Sequence, residues 1–558
     1  MLIGIDVGGT FTDGILCSEG RILKTAKHPT KEDDLQDSIF AVLDELLQGV
    51  KGSAIKHVVL STTLVTNLLA SGGGDPAALI LIPGPGLNWR QRELFPHTYI
   101  ADGATDFRGR IIEPLNQAQI EEFGTLITAA GIRKVAVVGK FSQRNSSQER
   151  QVGEILQERH PDLEVIRGFE VSGQLNFPRR AVTAYYTAVT REKWAGFAAS
   201  IKQAIGERGI TSPINILKAD GGTMPLETSL NYPCETVFSG PAASVMGAFA
   251  LTMDRQTSVV VDIGGTTTDL GLILEGKPLY ASRGALIGGH YTHVRSFAVR
   301  SLPLGGDSAV RWSGDRITLG PDRLGPAACF GGPAATPTDA FNVLEGGKLG
   351  HLELSLRALE KVSSPAGRTP EELARMIVSQ VNRQLQDGIK EMFKSWEQEP
   401  AYKIWEIVNK RPVKPDRVVG IGAAAAAFIP ALAEQLGCRP LVHRYSPVAN
   451  ALGAAVARPT LSLLLHADTE RQSYYLNLDG VSGKFSSSWQ LEDAKELARE
   501  QLRAIAEKRG IGRYADYHEF FMEEQFNMIR GWSTTGKLFD VGVQIASGII
   551  NEFKGVQP

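Results

Sequence analysis

At 558 residues the chain exceeds what one hydrophobic core organises, so about two to four domains are expected. Lys plus Arg number 59 against 61 for Asp plus Glu, a net charge of −2, which excludes a bulk field drawing the protein to nucleic acid or an anionic membrane. The four cysteines, at positions 17, 234, 329 and 438, form no CxxC pair, which argues against a disulfide scaffold and against Cys-rich zinc or iron–sulfur sites.

Met1–Asp6 is apolar, has no basic segment ahead of it and runs straight into Gly8-Gly9, so it reads as a buried strand and not as a secretory signal. Leu35, Ile39, Val42, Leu43, Leu46 and Leu47 then follow a helical period, and His57–Leu60 and Ala77–Ile82 read as buried strands flanking a helix. Lys134–Val138 is a further strand, and Ser146-Ser147-Gln148-Glu149 offers a capping box to a helix running to about Arg159. Pro178 opens a long helix with Val182, Tyr185, Val189, Phe197, Ile201 and Ile205 on one side, closing a first domain over residues 1–210.

A second domain is expected over 211–458, with helices around Pro370–Phe393 and Ile429–Leu436. Between Gly284 and Gly350, Gly305-Gly306-Asp307, Gly331-Gly332-Pro333 and Gly346-Gly347 read as ordered loops over a ligand. Residues 459–558 read as a small α+β appendage, an interface or lid, with Leu491, Ala494, Leu497, Ala498, Leu502 and Ile505 sharing one helix face. The longest weakly polar stretches, Gly420–Leu432 and Ala449–Leu465, are broken by Pro430, Arg458 and Pro459 and are too short for a membrane span, so a cytoplasmic protein is expected.

The most informative feature is an internal repeat. Asp6-Val7-Gly8-Gly9-Thr10-Phe11-Thr12-Asp13 returns as Asp262-Ile263-Gly264-Gly265-Thr266-Thr267-Thr268-Asp269, each copy set between two apolar strands and 256 positions apart. So long a period marks two similar domains and not a solenoid. The glycines allow a sharp turn whose N–H groups can approach phosphate oxygens, and the threonines add donors. Asp6 and Asp262 end buried strands, where a carboxylate calls for a cation or an orienting role; Asp13 and Asp269 are expected on the opposite hairpin face. A polar hairpin satisfying its own turn is the alternative for one copy, and the duplication favours the phosphate loop.

The paired hairpins resemble the superfamily of acetate and sugar kinases, heat-shock chaperone ATPases and actin. With Ser61–Asn67, Asp220-Gly221-Gly222, Ser239-Gly240-Pro241-Ala242, Leu304–Ser308 and Thr336–Ala340, the chain is identified as resembling the hydantoinase A/5-oxoprolinase family over roughly residues 1–458. The resemblance implies two duplicated ribonuclease H-like domains with an ATP cleft between them. It also implies ATP-dependent activation of a small carbonyl compound, most readily hydrolysis of a cyclic amide such as a hydantoin or 5-oxoproline, together with a second, larger subunit of hydantoinase B type. Carried onto this sequence, it gives Asp6, Gly8, Gly9, Thr10 and Thr12 to the first phosphate loop and Asp262, Gly264, Gly265, Thr266 and Thr267 to the second, with Mg²⁺ held by Asp6 and Asp262, the two expected catalytic carboxylates. Ser239-Gly240 would be an anion-binding helix start or a close-packed helix pair, Gly305-Gly306-Asp307 a third phosphate loop, and Gly420 and Gly422 the adenosine loop, although the family's Gly-Gly-Ala-Gly-Pro is altered there. Ser61–Asn67 and Asp339 are candidates for substrate contact or for domain packing.

Other readings remain open at this level: a subunit of an acetone carboxylase-like ketone carboxylase, a small-molecule kinase, or an actin- or chaperone-like nucleotide switch. Gly420-x-Gly422-x-x-Ala425 also fits a dinucleotide fingerprint, but no acidic residue stands at about 20 residues beyond it. Gly531 to Gly536-Lys537 matches a P-loop only by chance, because Leu538 replaces the required Ser or Thr. His290 and His293 lack local carboxylate or cysteine partners for a metal.

Overall fold

Leu2–Val7 and Ser258–Ile263 are apolar along nearly their whole length, the pattern of strands covered on both faces, and each lies inside a sheet. The computed structural model describes residues 1–558 apart from 32–33, 87, 90–92, 314–315, 399–413, 479–480, 486–487, 531–532 and 557–558. It is a mixed α/β fold. The first sheet runs Thr223–Pro225, Ile214–Leu217, His57–Thr62, Leu2–Val7, Phe11–Ser18, Arg21–Pro29. A second sheet, all parallel, runs Glu164–Arg167, Lys134–Gly139, Ala77–Ile82, Thr98–Ile100. A third runs Lys277–Pro278, Thr268–Leu274, Ser258–Ile263, Arg417–Ile421, Arg439–Val442, with Val299–Leu302 also on Thr268–Leu274.

The first and third sheets treat their repeats alike. Leu2–Val7 is antiparallel to Phe11–Ser18 and parallel to His57–Thr62; Ser258–Ile263 is antiparallel to Thr268–Leu274 and parallel to Arg417–Ile421. Residues 461–545 carry a five-stranded antiparallel sheet, backed by the helix Leu491–Lys508 through Ala494, Ala498 and Leu502, all fully buried. Among the described residues no helix is long and apolar enough to cross a membrane.

Two helices join the first and third sheets, and glycine makes their approach feasible. A Cβ on Gly247 of the helix Ser239–Thr252 would stand 2.2 Å from the Ala449 carbonyl oxygen, and one on Gly453 of the helix Ala449–Val456 would stand 2.3 Å from that of Ala243. The second helix also lies on the first sheet, since a Cβ on Gly4 would fall 2.1 Å from the Ala451 carbonyl oxygen. Backbone thus meets backbone at both contacts, with no room for a side chain.

Several expectations need correction. The helix Ser147–Arg159 forms, but Ser146 makes no side-chain cap; Glu149 turns inward, fully buried, and accepts from the backbone N–H of Gly139 at 2.8 Å and of Phe169 at 2.9 Å. Burial pushes its carboxyl up despite the nearby Arg180. The helix Phe177–Glu207 is buried on more than one side, taking in Arg180, Thr187 and Trp194 as well as the apolar stripe. The helix expected from Ile429 begins at Ala425 and continues through Pro430. Gly331, Gly346 and Gly347 have positive φ and close turns around the Pro337–Leu344 helix; they do not reach the hairpins. Part of the 531–537 match, Gly531, lies outside the described residues, while Gly536 and Lys537 are in the strand Ser533–Ile545.

Candidate active site

Both repeats fold as tight hairpins of one geometry. The Gly8 N–H donates to the Phe11 carbonyl at 3.0 Å and the Gly264 N–H to that of Thr267 at 3.0 Å. The turns meet at their tips: a Cβ on Gly265 would lie 2.9 Å from Thr10 Oγ1 and 2.9 Å from Asp307 Oδ2. The third glycine loop is bound to the second hairpin, with Gly306 N–H donating to Gly264 O and Asp307 N–H to Gly265 O, both at 2.8 Å. A Cβ on Gly305 would fall 2.3 Å from Gly265 O, so only glycine allows this approach. Thr338 Oγ1 anchors the loop from behind by donating to Gly306 O at 2.8 Å. Gly9, by contrast, faces open space.

Register sets the carboxylates. Asp6 is directly opposite Asp13 and Asp262 directly opposite Asp269, so each pair shares a face of its sheet, correcting the expectation of opposite faces. Asp13 is taken by Lys27, whose Nζ lies 2.6 Å from Oδ1, and Asp269 by the Ser301 hydroxyl. Asp262 Oδ2 accepts from Ser244 Oγ at 2.6 Å and from Asn450 Nδ2 at 3.0 Å, one residue from each of the crossing helices. Asp6 is buried and its Oδ1 has no hydrogen-bond partner. Burial pushes its carboxyl up to about 7; hydrogen bonding to Ser61 and Asn450 opposes this, and the charges of Asp13 and Asp262 add to it. Burial likewise lifts Asp269 to about 7 and raises Asp307, which Arg323 Nε meets at 3.2 Å.

A bare carboxylate oxygen beside two further carboxylates is a place a cation would stabilise. Among the described residues no three His, Cys, Asp or Glu groups could hold an ion together. A cation here would therefore rest on Asp6 and Asp262, with water or phosphate oxygens completing its shell, as suits Mg²⁺.

The other expected residues divide. Gly422, with φ +90°, abuts the second repeat, a Cβ there falling 2.5 Å from Ile263 O and 3.2 Å from Asp262 Oδ1. Gly420 is inside its strand, and a Cβ would strike Ile429 at 2.5 Å, so packing alone accounts for it. Ser239 is fully buried and donates to the Thr62 carbonyl at 2.9 Å, whereas Gly240 borders open space. Thr12 Oγ1 is 3.0 Å from Thr30 Oγ1, which in turn donates to Gly8 O at 2.9 Å, so Thr12 braces the hairpin from inside. Thr66 Oγ1 accepts from the Phe238 N–H at 2.9 Å, and Asp339 caps its own helix while accepting from the N–H groups of Ala328 and Cys329 at 2.9 and 2.7 Å; both are structural contacts. His293 is half-buried with Nδ1 2.8 Å from Ser172 Oγ, and half-buried His290 lies against the Phe95 ring. Sequence reasoning missed Ser244 and Asn450 as partners of Asp262; a single Asn in the apolar run 449–456 was the available signal.

Two family models match the chain: that of the hydantoinase/oxoprolinase N-terminal region over residues 2–160, and that of hydantoinase/oxoprolinase over residues 180–462. Among curated proteins it is similar to the acetophenone carboxylase gamma subunit of Aromatoleum aromaticum, 25% identical over 70% of this chain and 60% of that one. It is similar to the caprolactamase subunit alpha of Pseudomonas jessenii, 23% identical over 78% of this chain and 67% of that one. The chain thus spans about two thirds or less of the length of these relatives. Among solved structures, nucleotide-free acetone carboxylase superposes with a TM-score of 0.71 at 18% identity, over 98% of this chain and 87% of that one. The ATP-dependent caprolactamase of Pseudomonas jessenii gives 0.70 at 19% identity, over 97% and 87%. At these identities the superpositions speak to the fold.

Proposed function

Because the chain belongs to the hydantoinase/oxoprolinase family, we propose that it is an ATPase component that phosphorylates the carbonyl oxygen of a small cyclic amide, activating it for hydrolysis. One observation carries this reading: two glycine hairpins and a third glycine loop meet around Asp6 and Asp262, one carboxylate bare and the other held. Residues 1–210 and 211–458 are read as duplicated ribonuclease H-like domains, supported by the like arrangement of strands about each hairpin, with 459–558 as the appendage.

In this reading the N–H groups of Gly9 and Thr10 and of Gly265, Thr266 and Thr267 face the phosphates, Gly8 and Gly264 close the two turns with their own N–H groups, Gly305, Gly306 and Asp307 stand behind them, and Ser239 and Gly240 lie at the margin. Gly422 and the start of the helix Ala425–Leu436 border the nucleoside, with Gly420 shaping the strand beneath. Bound Mg²⁺–ATP would supply the phosphoryl group and offset its charge. Ser244 and Asn450 fix the rotamer of Asp262, so its free oxygen is aimed without reorganisation, which is how a carboxylate orients a reacting oxygen or a metal-bound water at low entropic cost. Asp6, disfavoured as a bare anion, gains most from a cation. An ATP-consuming reaction of this kind is consistent with a cytoplasmic protein.

Ketone activation for carboxylation is the second reading, favoured by similarity to a carboxylase subunit. Relatives that are themselves named as subunits support a larger partner, here of hydantoinase B type. Steady-state ATP turnover with Mg²⁺, measured with hydantoin, 5-oxoproline or caprolactam and separately with a ketone plus bicarbonate, tests the proposal. Stimulation by cyclic amides is expected. Turnover indifferent to every carbonyl compound would leave a nucleotide switch as the better account.

A further inference from the structure

Away from the glycine loops, the segment after the strand Lys134–Gly139 forms a cleft of about 380 Å³ with the C-terminal sheet, lined by Ser142, Gln143, Arg144, Arg150, Arg471 and Tyr475 among others. It sits at the carboxyl edge of an all-parallel sheet, where open α/β sheets take ligands. The 13-residue helix Ser147–Arg159 starts there with no cap from the Ser146 side chain; Asn145 Oδ1 accepts from the Ser147 N–H at 3.0 Å, and the positive end of the dipole lies toward the cleft.

The side chains supply the independent sign of a ligand. Gln143 is 8% exposed and its Oε1 has no hydrogen-bond partner; Arg144 Nε and Nη1 are buried and likewise unpartnered. Arg144 stacks loosely on Tyr475, its Cζ 5.8 Å from the ring centre. The nearby carboxylates make their hydrogen bonds elsewhere, Asp540 to His466 Nδ1 at 2.5 Å and Asp468 Oδ1 to the N–H groups of Glu470 and Arg471 at 2.9 and 3.1 Å, so that Asp540 meets Arg144 through charge alone. Arg471 reaches Asp468 only at 3.9 Å, and Arg150 lies over Phe169 at 4.5 Å. Buried guanidinium N–H groups with no acceptor are costly, and Nε and Nη1, on opposite sides of the group, each call for an acceptor oxygen.

We propose that this cleft binds a small oxyanion, the phosphate or carboxylate group of a ligand that also donates a hydrogen bond to Gln143, and that the ligand ties the 140–150 segment to the C-terminal sheet. Calorimetry and thermal melting of the full chain with inorganic phosphate and with succinate, against sodium chloride at matched ionic strength, test it. A saturable one-to-one component is expected for at least one oxyanion. The preferred anion identifies the headgroup, and its affinity should fall about tenfold or more in Arg471→Ala and in Arg144→Leu. Should Arg144→Leu fail to fold, the exposed Arg471 carries the test alone. No binding above the chloride control, or a component of unchanged affinity in the variants, overturns the assignment.

Discussion

Asp262 and Asp6 occupy equivalent positions in the two repeats but differ in what surrounds them. Ser244 and Asn450 hold one oxygen of Asp262, whereas one oxygen of Asp6 is buried and bare. Asp262→Asn should therefore keep the fold, since Asn fills the same volume, while ATP turnover falls by on the order of 10²-fold with smaller loss of nucleotide affinity. Wild-type turnover in that variant would remove Asp262 from the chemistry. A second residue-scale prediction concerns pH. His57 is buried with Nε2 unpartnered, and burial, aided by Arg513, lowers its pKa to about 4. The unfolded chain, with a His pKa near 6.5, then binds more protons between pH 6.5 and 4, so the stability tied to this residue is present above about 6.5 and lost as the pH falls through that window. Asp6 and Asp269, raised to about 7, act in the opposite sense, losing stability as pH rises from about 4 to 7, so only a comparison of variants isolates His57. Relative to wild type, His57→Leu should gain on the order of 2 kcal/mol between pH 7 and pH 5 in urea unfolding. A difference that stays constant with pH would contradict this.

At the scale of elements, the crossing of the helices Ser239–Thr252 and Ala449–Val456 decides whether Ser244 and Asn450 converge on Asp262. Gly453→Ala would drive a methyl into backbone, 2.3 Å from Ala243 O and 2.4 Å from Gly247 N. It should cost on the order of 1–3 kcal/mol in denaturant unfolding and lower turnover with it. Gly206→Ala, in a helix with nothing within 4 Å of the new methyl, serves as the contrast and should be neutral or slightly stabilising. Equal behaviour of the two variants would mean that the crossing is not tight. The hairpins themselves were legible in the sequence because their chemistry is local: glycine at the turn, threonine beside it, apolar residues on either side. So were the helices Leu35–Leu47, Pro370–Glu397 and Leu491–Lys508, whose stripes need no distant partner to be recognised. Glu149 was misread because its capping role lost to two N–H groups, of Gly139 and Phe169, that only the folded sheet brings near. Asn450 was passed over for a related reason, since its function depends on where a helix nearly 190 residues further along the chain comes to lie on the second repeat.

For the whole molecule, the family resemblance covers the hairpin-bearing part, and no assembled nucleophile–base grouping was found in the sequence to finish hydrolysis or carboxylation after phosphorylation. The purified chain should then hydrolyse ATP slowly and convert little substrate until a partner subunit is added, which parallel assays of phosphate release and substrate loss would measure. Ring opening by the chain alone at a rate matching its ATP use would refute the two-subunit reading. The glycine crossing has one more consequence. The helix Ala449–Val456 touches the first sheet where Ala451 meets Gly4 and the other joining helix at Gly453, and Asn450 stands directly before Ala451. If the halves turn against each other, this helix is the axle: points near it travel least and points farther out travel most. Asn450 and the Asp262 oxygen it holds would keep their alignment through each swing, while hairpin tips at larger radius open and shut like the jaws of a pair of pliers about a fixed pin.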